Sequence, residues 1–207
     1  MIKLSRLALD SRALVGDLRL IDPGLFQPKP LPSGGVAGAV HLKPDDLQRL
    51  VRSAAVSLCG LGDEAQDAAL RRTVLWRDGE SDLLLFPGGI ETRLAEGIVA
   101  LSVPVFCDQT QGVPIHVSFF VGTESRPAGL VVATEERPRG PAAVVDVWGE
   151  RVVALAWRVL LGLATQVAAE SGRDEDGAPL LPVALSANVD GLSVLPMARH
   201  AMDRASS

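Results

Sequence analysis

The sequence predicts an α+β fold: an antiparallel β-meander of about six strands packed on a long helix in the C-terminal half, with one shorter helix and a C-terminal hairpin. Three observations carry this reading. Between Arg72 and Thr134 apolar residues alternate at the period of strands and turn signals recur every few positions. The run Asp146 to Ser171 is apolar around most of a helix circumference. Asp190-Gly191 sits between two further alternating runs, Pro182 to Val189 and Leu192 to Pro196.

A chain of 207 residues with 47% hydrophobic and 22% charged residues has enough apolar material for one self-sufficient domain spanning 1–207. Its net charge of -5 supplies no broad attraction for phosphate backbones or anionic lipid, so no nucleic-acid or membrane partner is expected. Lysine occurs only at Lys3, Lys29 and Lys43, and arginine supplies the other cations. With abundant Ala, Gly and Pro, that bias suggests a GC-rich bacterial genome. Two cysteines, Cys59 and Cys107, do not make a disulfide framework. Charges at Lys3, Arg6, Asp10 and Arg12 interrupt any apolar run of secretory length, so a cytoplasmic location is expected.

Taken in order, Ile2 to Ile21 reads as a helical turn and a strand. From Asp22 to Pro44, Pro23, Pro28, Pro30, Pro32, Gly34, Gly35 and Gly38 favour an extended connector over a helix. Its Gly34-Gly35-Val36-Ala37-Gly38 run lacks the spacing of dinucleotide and P-loop motifs, and no cofactor is implied. Pro44-Asp45-Asp46 opens a helix whose stripe is Leu47, Leu50, Val51, Ala54 and Leu58, and Gly60 and Gly62 end it. Cys59 falls in its last turn as a buried thiol. A short helical piece follows over Glu64 to Leu70. Strands are predicted over Thr73 to Trp76, Asp82 to Phe86, Ile90 to Ala95, the hairpin within Gly97 to Val121, and Leu130 to Thr134. Asp146 is the expected N-cap of the long helix and Gly172 its stop, with Arg151, Arg158 and Thr165 forming a narrow polar stripe at seven-residue spacing. The tail Arg199 to Ser207 is expected to fray.

The Gly97 to Val121 hairpin holds the sharpest chemical candidates, Cys107 and His116, with Asp108 as an orienter, because a thiolate nucleophile needs an imidazole within hydrogen-bond reach. A two-residue turn at Gln111-Gly112 sets Cys107 opposite His116. A three-residue turn, Thr110-Gln111-Gly112, sets Cys107 opposite Ile115 and His116 opposite Phe106. The apolar sets Val99, Leu101, Val103, Val105, Cys107 and Val113, Ile115, Val117, Phe119, Val121 share a face only with the three-residue turn. Misplacing three such residues costs roughly 5 to 9 kcal/mol, at about 1.5 to 3 kcal/mol per buried side chain. Burial therefore disfavours the dyad and moves attention to the other face, where His116, Ser118, Ser102, Phe106 and Phe120 form the expected binding site.

His41 and His200 lie in a connector and a tail, and no residue spacing matches a zinc or calcium site. Ser186, Asn188 and Asp190 are accounted for by turn chemistry, and Glu135-Glu136 by a solvated loop beside Arg137 and Arg139. Two functions remain: a noncatalytic binding or assembly subunit that forms a homo-oligomer or takes a protein partner, or a small hydrolase or transferase using Cys107 or His116.

Overall fold

The computed structural model describes residues 38–61, 71–107, 110–129 and 138–198. The expectations for Ile2 to Ile21, for the connector before residue 38, for Glu64 to Leu70, Leu130 to Thr134, Asp108, Glu135-Glu136, His200 and the tail lie outside these residues. The described elements are strand β1 (Val40–Leu42), helix α1 (Pro44–Leu58), β2 (Val74–Asp78), β3 (Ser81–Leu85), a 3-10 turn (Pro87–Gly89), β4 (Glu91–Ala95), β5 (Ile98–Cys107), β6 (Thr110–Phe120), β7 (Gly122–Thr123), β8 (Arg126–Gly129), helix α2 (Ala142–Ser171), β9 (Leu181–Asn188) and β10 (Gly191–Met197). The chain is α+β, with antiparallel sheets, a long helix in its C-terminal half and a C-terminal hairpin.

The meander is drawn out over two sheets. In the first, β5 is central: β6 runs along one edge, while β4 pairs with Ile98 to Ser102 and β3 with Val105 and Phe106 on the other. β2 closes this sheet outside β3. The second sheet has the order β1-β10-β9-β8-β7. Gly122, at φ 78°, turns the chain out of β6 into β7 and so from one sheet to the other. The sheets are joined where Gly97 N–H donates to Ala187 O (2.8 Å) and Val121 N–H donates to Gly97 O (2.9 Å).

Two sheets are needed because α2 is apolar on more than one side. Trp148, Val152, Leu155, Val159, Leu160, Leu163 and Val167 are all buried. A single flat sheet covers one stripe of a helix, whereas α2 meets β5 and β6 from the first sheet, β9 and β10 from the second, and α1. Aromatic pairs anchor it: Trp148 lies 6.3 Å from Trp76 of β2, and Trp157 lies 6.0 Å from Phe119 of β6, centroid to centroid. The helix has the length and hydropathy of a membrane span, but 61% of its most apolar window is buried inside the protein, as in a core helix.

Two local details differ from expectation. The long helix starts at Ala142, a turn before Asp146, because Pro141 holds the extended conformation from which the helix begins, at φ -58° and ψ 131°. Arg151 is not a solvent residue: its side chain is 15% exposed, its guanidinium stacks 4.9 Å over Trp148, and Nη2 donates to Asp78 Oδ2 at 2.8 Å. Among the described residues, two buried donors lack a partner, Arg151 Nη1 and Trp76 Nε1. Residues 87–89 form a 3-10 turn held by Gly89 N–H to Phe86 O (3.1 Å).

Helix α1 packs beside the first sheet through a side chain that imitates a strand. Gln48 Nε2 donates to Ile90 O at 2.6 Å, and its Oε1 accepts from Thr92 N–H at 2.8 Å and Thr92 Oγ1 at 3.0 Å. The primary amide thus caps the outer edge of β4 as a peptide group would. Arg52 Nε donates to the same Ile90 carbonyl at 3.2 Å.

Candidate functional site

The β5–β6 hairpin determines which candidates meet. Its pairs are Val99↔Phe119, Leu101↔Val117, Ser102↔His116, Val103↔Ile115, Pro104↔Pro114 and Val105↔Val113, ending at Cys107↔Thr110. Both odd sets share the buried face, as the alternation requires. Neither expected turn is present, since the strands leave only positions 108 and 109 between them. Slipping an antiparallel pair by two residues keeps every side chain on its face, so alternation fixes the parity of the register and not its value. Gly112 does take the left-handed conformation, at φ 56°, but as part of a bulge: it and Gln111 stand against the single residue Phe106. A Cβ on Gly112 would lie 3.0 Å from the Phe106 ring, so the ring lies against the glycine.

This register separates Cys107 from His116. His116 is opposite Ser102, five residues and about 16 Å along β5 from Cys107 at about 3.3 Å per residue. Cys107 Sγ instead lies 3.1 Å from Thr110 Oγ1. Cys59 caps α1 and is fully buried, and that burial pushes its thiol from the ordinary 9.0 up to about 12. It is an inert packing group.

His116, Ser102 and Ser118 are brought together with the aromatic residues on the outer face of the first sheet. Ser102 Oγ is 2.8 Å from His116 Nδ1, and Ser102 is 7% exposed. The His116 backbone makes a two-bond bridge to Arg139, donating to its O at 2.8 Å and accepting from its N–H at 2.9 Å. This closes that part of the β6 edge. Pro104 and Pro114 face each other on the same surface, with their ring nitrogens turned away from the shared ladder. Pro104 therefore sits where β4 has ended and β3 has not begun, and its carbonyl accepts from Phe86 N–H at 3.1 Å.

Around this polar centre the face is apolar and open: Leu84 is 37% exposed, Phe106 39% and Phe120 51%. Leu84 pairs with Phe106 across β3–β5, and Ile98 with Phe120 across β5–β6. The register also places Glu91 and Arg93 on this face, opposite Ser102 and Ala100, and the ion pair Arg77 Nε to Asp82 Oδ1 (3.2 Å) at its β2 margin.

A second constellation escaped the sequence reading. On the outer face of the second sheet, His41, Ser193 and Ser186 form one cross-strand row over β1, β10 and β9. His41 Nδ1 is 3.1 Å from Ser193 Oγ, and its ring is seated on Gly191, where a Cβ would collide with both the ring and the Leu42 carbonyl. Beside this row, Asn188 Nδ2 donates to Glu124 Oε1 at 2.9 Å, while Asn188 Oδ1 accepts from the N–H groups of Asp190 and Gly191 at 2.8 and 3.0 Å. Of these residues, Ser193, Ser186 and Glu124 line a cleft of about 250 Å³. Asn188 does perform the turn chemistry expected of it, and its amide also holds Glu124. The signal available beforehand was the alternation in β10, which sets Ser193 on the face opposite Leu192 and Val194. No local pattern could attach His41 to it, 152 positions away.

Among the described residues, no group of three His, Cys, Asp or Glu side chains gathers in a way that could hold a metal ion. Comparisons with protein-family models, curated proteins and solved structures gave no match to this chain.

Proposed function

We propose that the protein is a noncatalytic binding and assembly subunit, a cytoplasmic bacterial homo-oligomer whose copies meet through the outer face of the first sheet. The observation that carries this reading is the trio Leu84, Phe106 and Phe120, more than a third exposed on one sheet face around the Ser102–His116 pair. An aromatic centre with a polar rim is the composition of an interface core. The charges on the face favour a second copy as the occupant. Glu91 and Arg93 stand two residues apart on β4, and Arg77 and Asp82 are paired on β2 and β3, so both signs recur within the patch. With the two-fold axis between them, apposition of two copies sets each sign against its opposite, whereas a strongly charged partner finds no field to meet.

The alternative, a hydrolase or transferase, requires Cys107 or His116 to act without the other; its one support is Ser102 Oγ at 2.8 Å from His116 Nδ1, and Ser102 is only 7% exposed. The test is oligomeric state by light scattering over a wide concentration range, for the wild type and Phe120→Glu. Half of the roughly 200 Å² of a phenylalanine, at about 25 cal/mol/Å², contributes about 2.5 kcal/mol per copy. The expected result is a concentration-dependent oligomer that Phe120→Glu dissociates. A wild-type protein that stays monomeric at the highest concentrations removes the proposal.

A further inference from the structure

We infer that the cleft on the second sheet is a binding site for a small primary ammonium compound, independent of the assembly face on the first. The polar side chains lining it are Glu124, Ser186 and Ser193, one carboxylate and two hydroxyls, and among the described residues no lysine or arginine lines it. A carboxylate accepts hydrogen bonds and donates none, and a hydroxyl can accept as well as donate. Such a lining selects a ligand that is cationic and rich in N–H donors, and repels carboxylates and phosphates. Glu124 is not a loosely waving surface acid, since the Asn188 amide, itself fixed by two backbone N–H groups, donates to its Oε1. This positioning reduces the ordering cost of binding.

The remaining walls are Ala39, Ala184, Leu185 and Leu195, whose side chains suit a short carbon chain and offer it no polar group. At about 250 Å³ the cleft is smaller than the pockets that hold drug-sized molecules, roughly 300 to 1,000 Å³, so the ligand is small. Ser186, only 6% exposed, lies opposite Ser193 across β9–β10, and His41 braces Ser193 from the far side at 3.1 Å. The His41–Ser193 pair is not a nucleophile–base couple of the triad type. Among the described residues no carboxylate orients the imidazole, whose other edge is seated on Gly191.

The experiment is an amide-resolved NMR titration of the full chain at fixed ionic strength with ethanolamine, choline and acetate as probes. Ethanolamine is expected to give saturable shifts confined to Glu124, Ser186, Ser193 and their neighbours. Choline carries the charge without an N–H donor and is expected to bind at least about tenfold more weakly, the loss of one charge-assisted hydrogen bond. Acetate is expected to give none of these shifts. Glu124→Gln, on an exposed turn, should leave the rest of the spectrum in place and weaken ethanolamine by about tenfold or more. The inference is overturned by acetate or choline shifting the same amides as strongly as ethanolamine. Ethanolamine binding that is indifferent to Glu124→Gln, or no saturable shift with ethanolamine at all, overturns it equally.

Discussion

Replacing Gln48 by methionine tests whether a single amide side chain couples α1 to the sheet that carries the assembly face. Methionine keeps the length, the unbranched stem and the helix propensity of glutamine and removes every hydrogen bond of the head group. Three bonds are lost: to Ile90 O at 2.6 Å, from Thr92 N–H at 2.8 Å and from Thr92 Oγ1 at 3.0 Å. They are not equal. The Ile90 carbonyl keeps Arg52 as a donor, and the Thr92 hydroxyl can rotate toward water, but the Thr92 N–H at the outer edge of β4 has no other partner among the described residues. An orphaned, part-buried donor costs about 1 to 3 kcal/mol, and the two better-compensated bonds about 0.5 kcal/mol each, so the expected loss is about 2 to 4 kcal/mol. Urea unfolding reads this as a lower midpoint with an unchanged slope. Thr92→Val removes only the hydroxyl bond and should cost about 1 kcal/mol or less, and the double variant should lose less than the sum. A Gln48→Met protein within about 0.5 kcal/mol of wild type refutes the reasoning.

The other expectations concern charge, thiols and backbone. Asp78→Ala strands Arg151, 15% exposed and already short of one partner, and should cost about 1 to 3 kcal/mol. Asp82→Ala, which breaks a pair 64% and 46% exposed, should cost about 1 kcal/mol or less, and equal losses in a denaturant series would contradict the burial argument. In the native protein a disulfide reagent should modify Cys107, which is part-exposed, well before Cys59, whose thiol is held at about 12. Because the folded-state pKa of Cys59 is raised above its ordinary 9.0, its contribution is intact below pH 9 and is lost as pH rises toward about 12. Wild type should therefore lose up to about 1.4 kcal/mol per pH unit more than Cys59→Ala across that window. Gly112→Ala forces a side chain into a left-handed conformation against the Phe106 ring and should destabilise by about 1 to 2 kcal/mol. Adding Phe106→Ala should recover only the steric part, and full recovery would show that the conformation carries no cost.

Much of the fold was legible because burial writes itself into alternation. The helices, the hairpin parity and the shared face of Ser102, His116, Ser118, Phe106 and Phe120 all follow from which residues must avoid water. What was not legible was set by forces without periodicity. The hairpin value turned on a bulge at Gly112, invisible to parity. The split into two sheets turned on the circumference of α2 that needed covering, a property of the assembled core. Arg151 was read as solvent-facing from spacing alone, yet it lies over Trp148 and reaches Asp78, a partner 73 positions away. The cleft was hidden for the same reason, since His41 and Ser193 become neighbours only when the ends of the described chain meet.

That meeting has a consequence for synthesis. Among the described strands β1 pairs only with β10, so Val40 finds Val194 only after nearly all of the described chain has left the ribosome. The seam at Gly97 likewise waits for Ala187. The first sheet can form its hairpins from local contacts, but α2 emerges with one flank uncovered until β9 and β10 arrive. For that interval the flank of α2 that β9 and β10 cover stays exposed, and a chaperone that grips apolar helices has its opportunity there. Chains stalled before residue 190 should be the aggregation-prone ones.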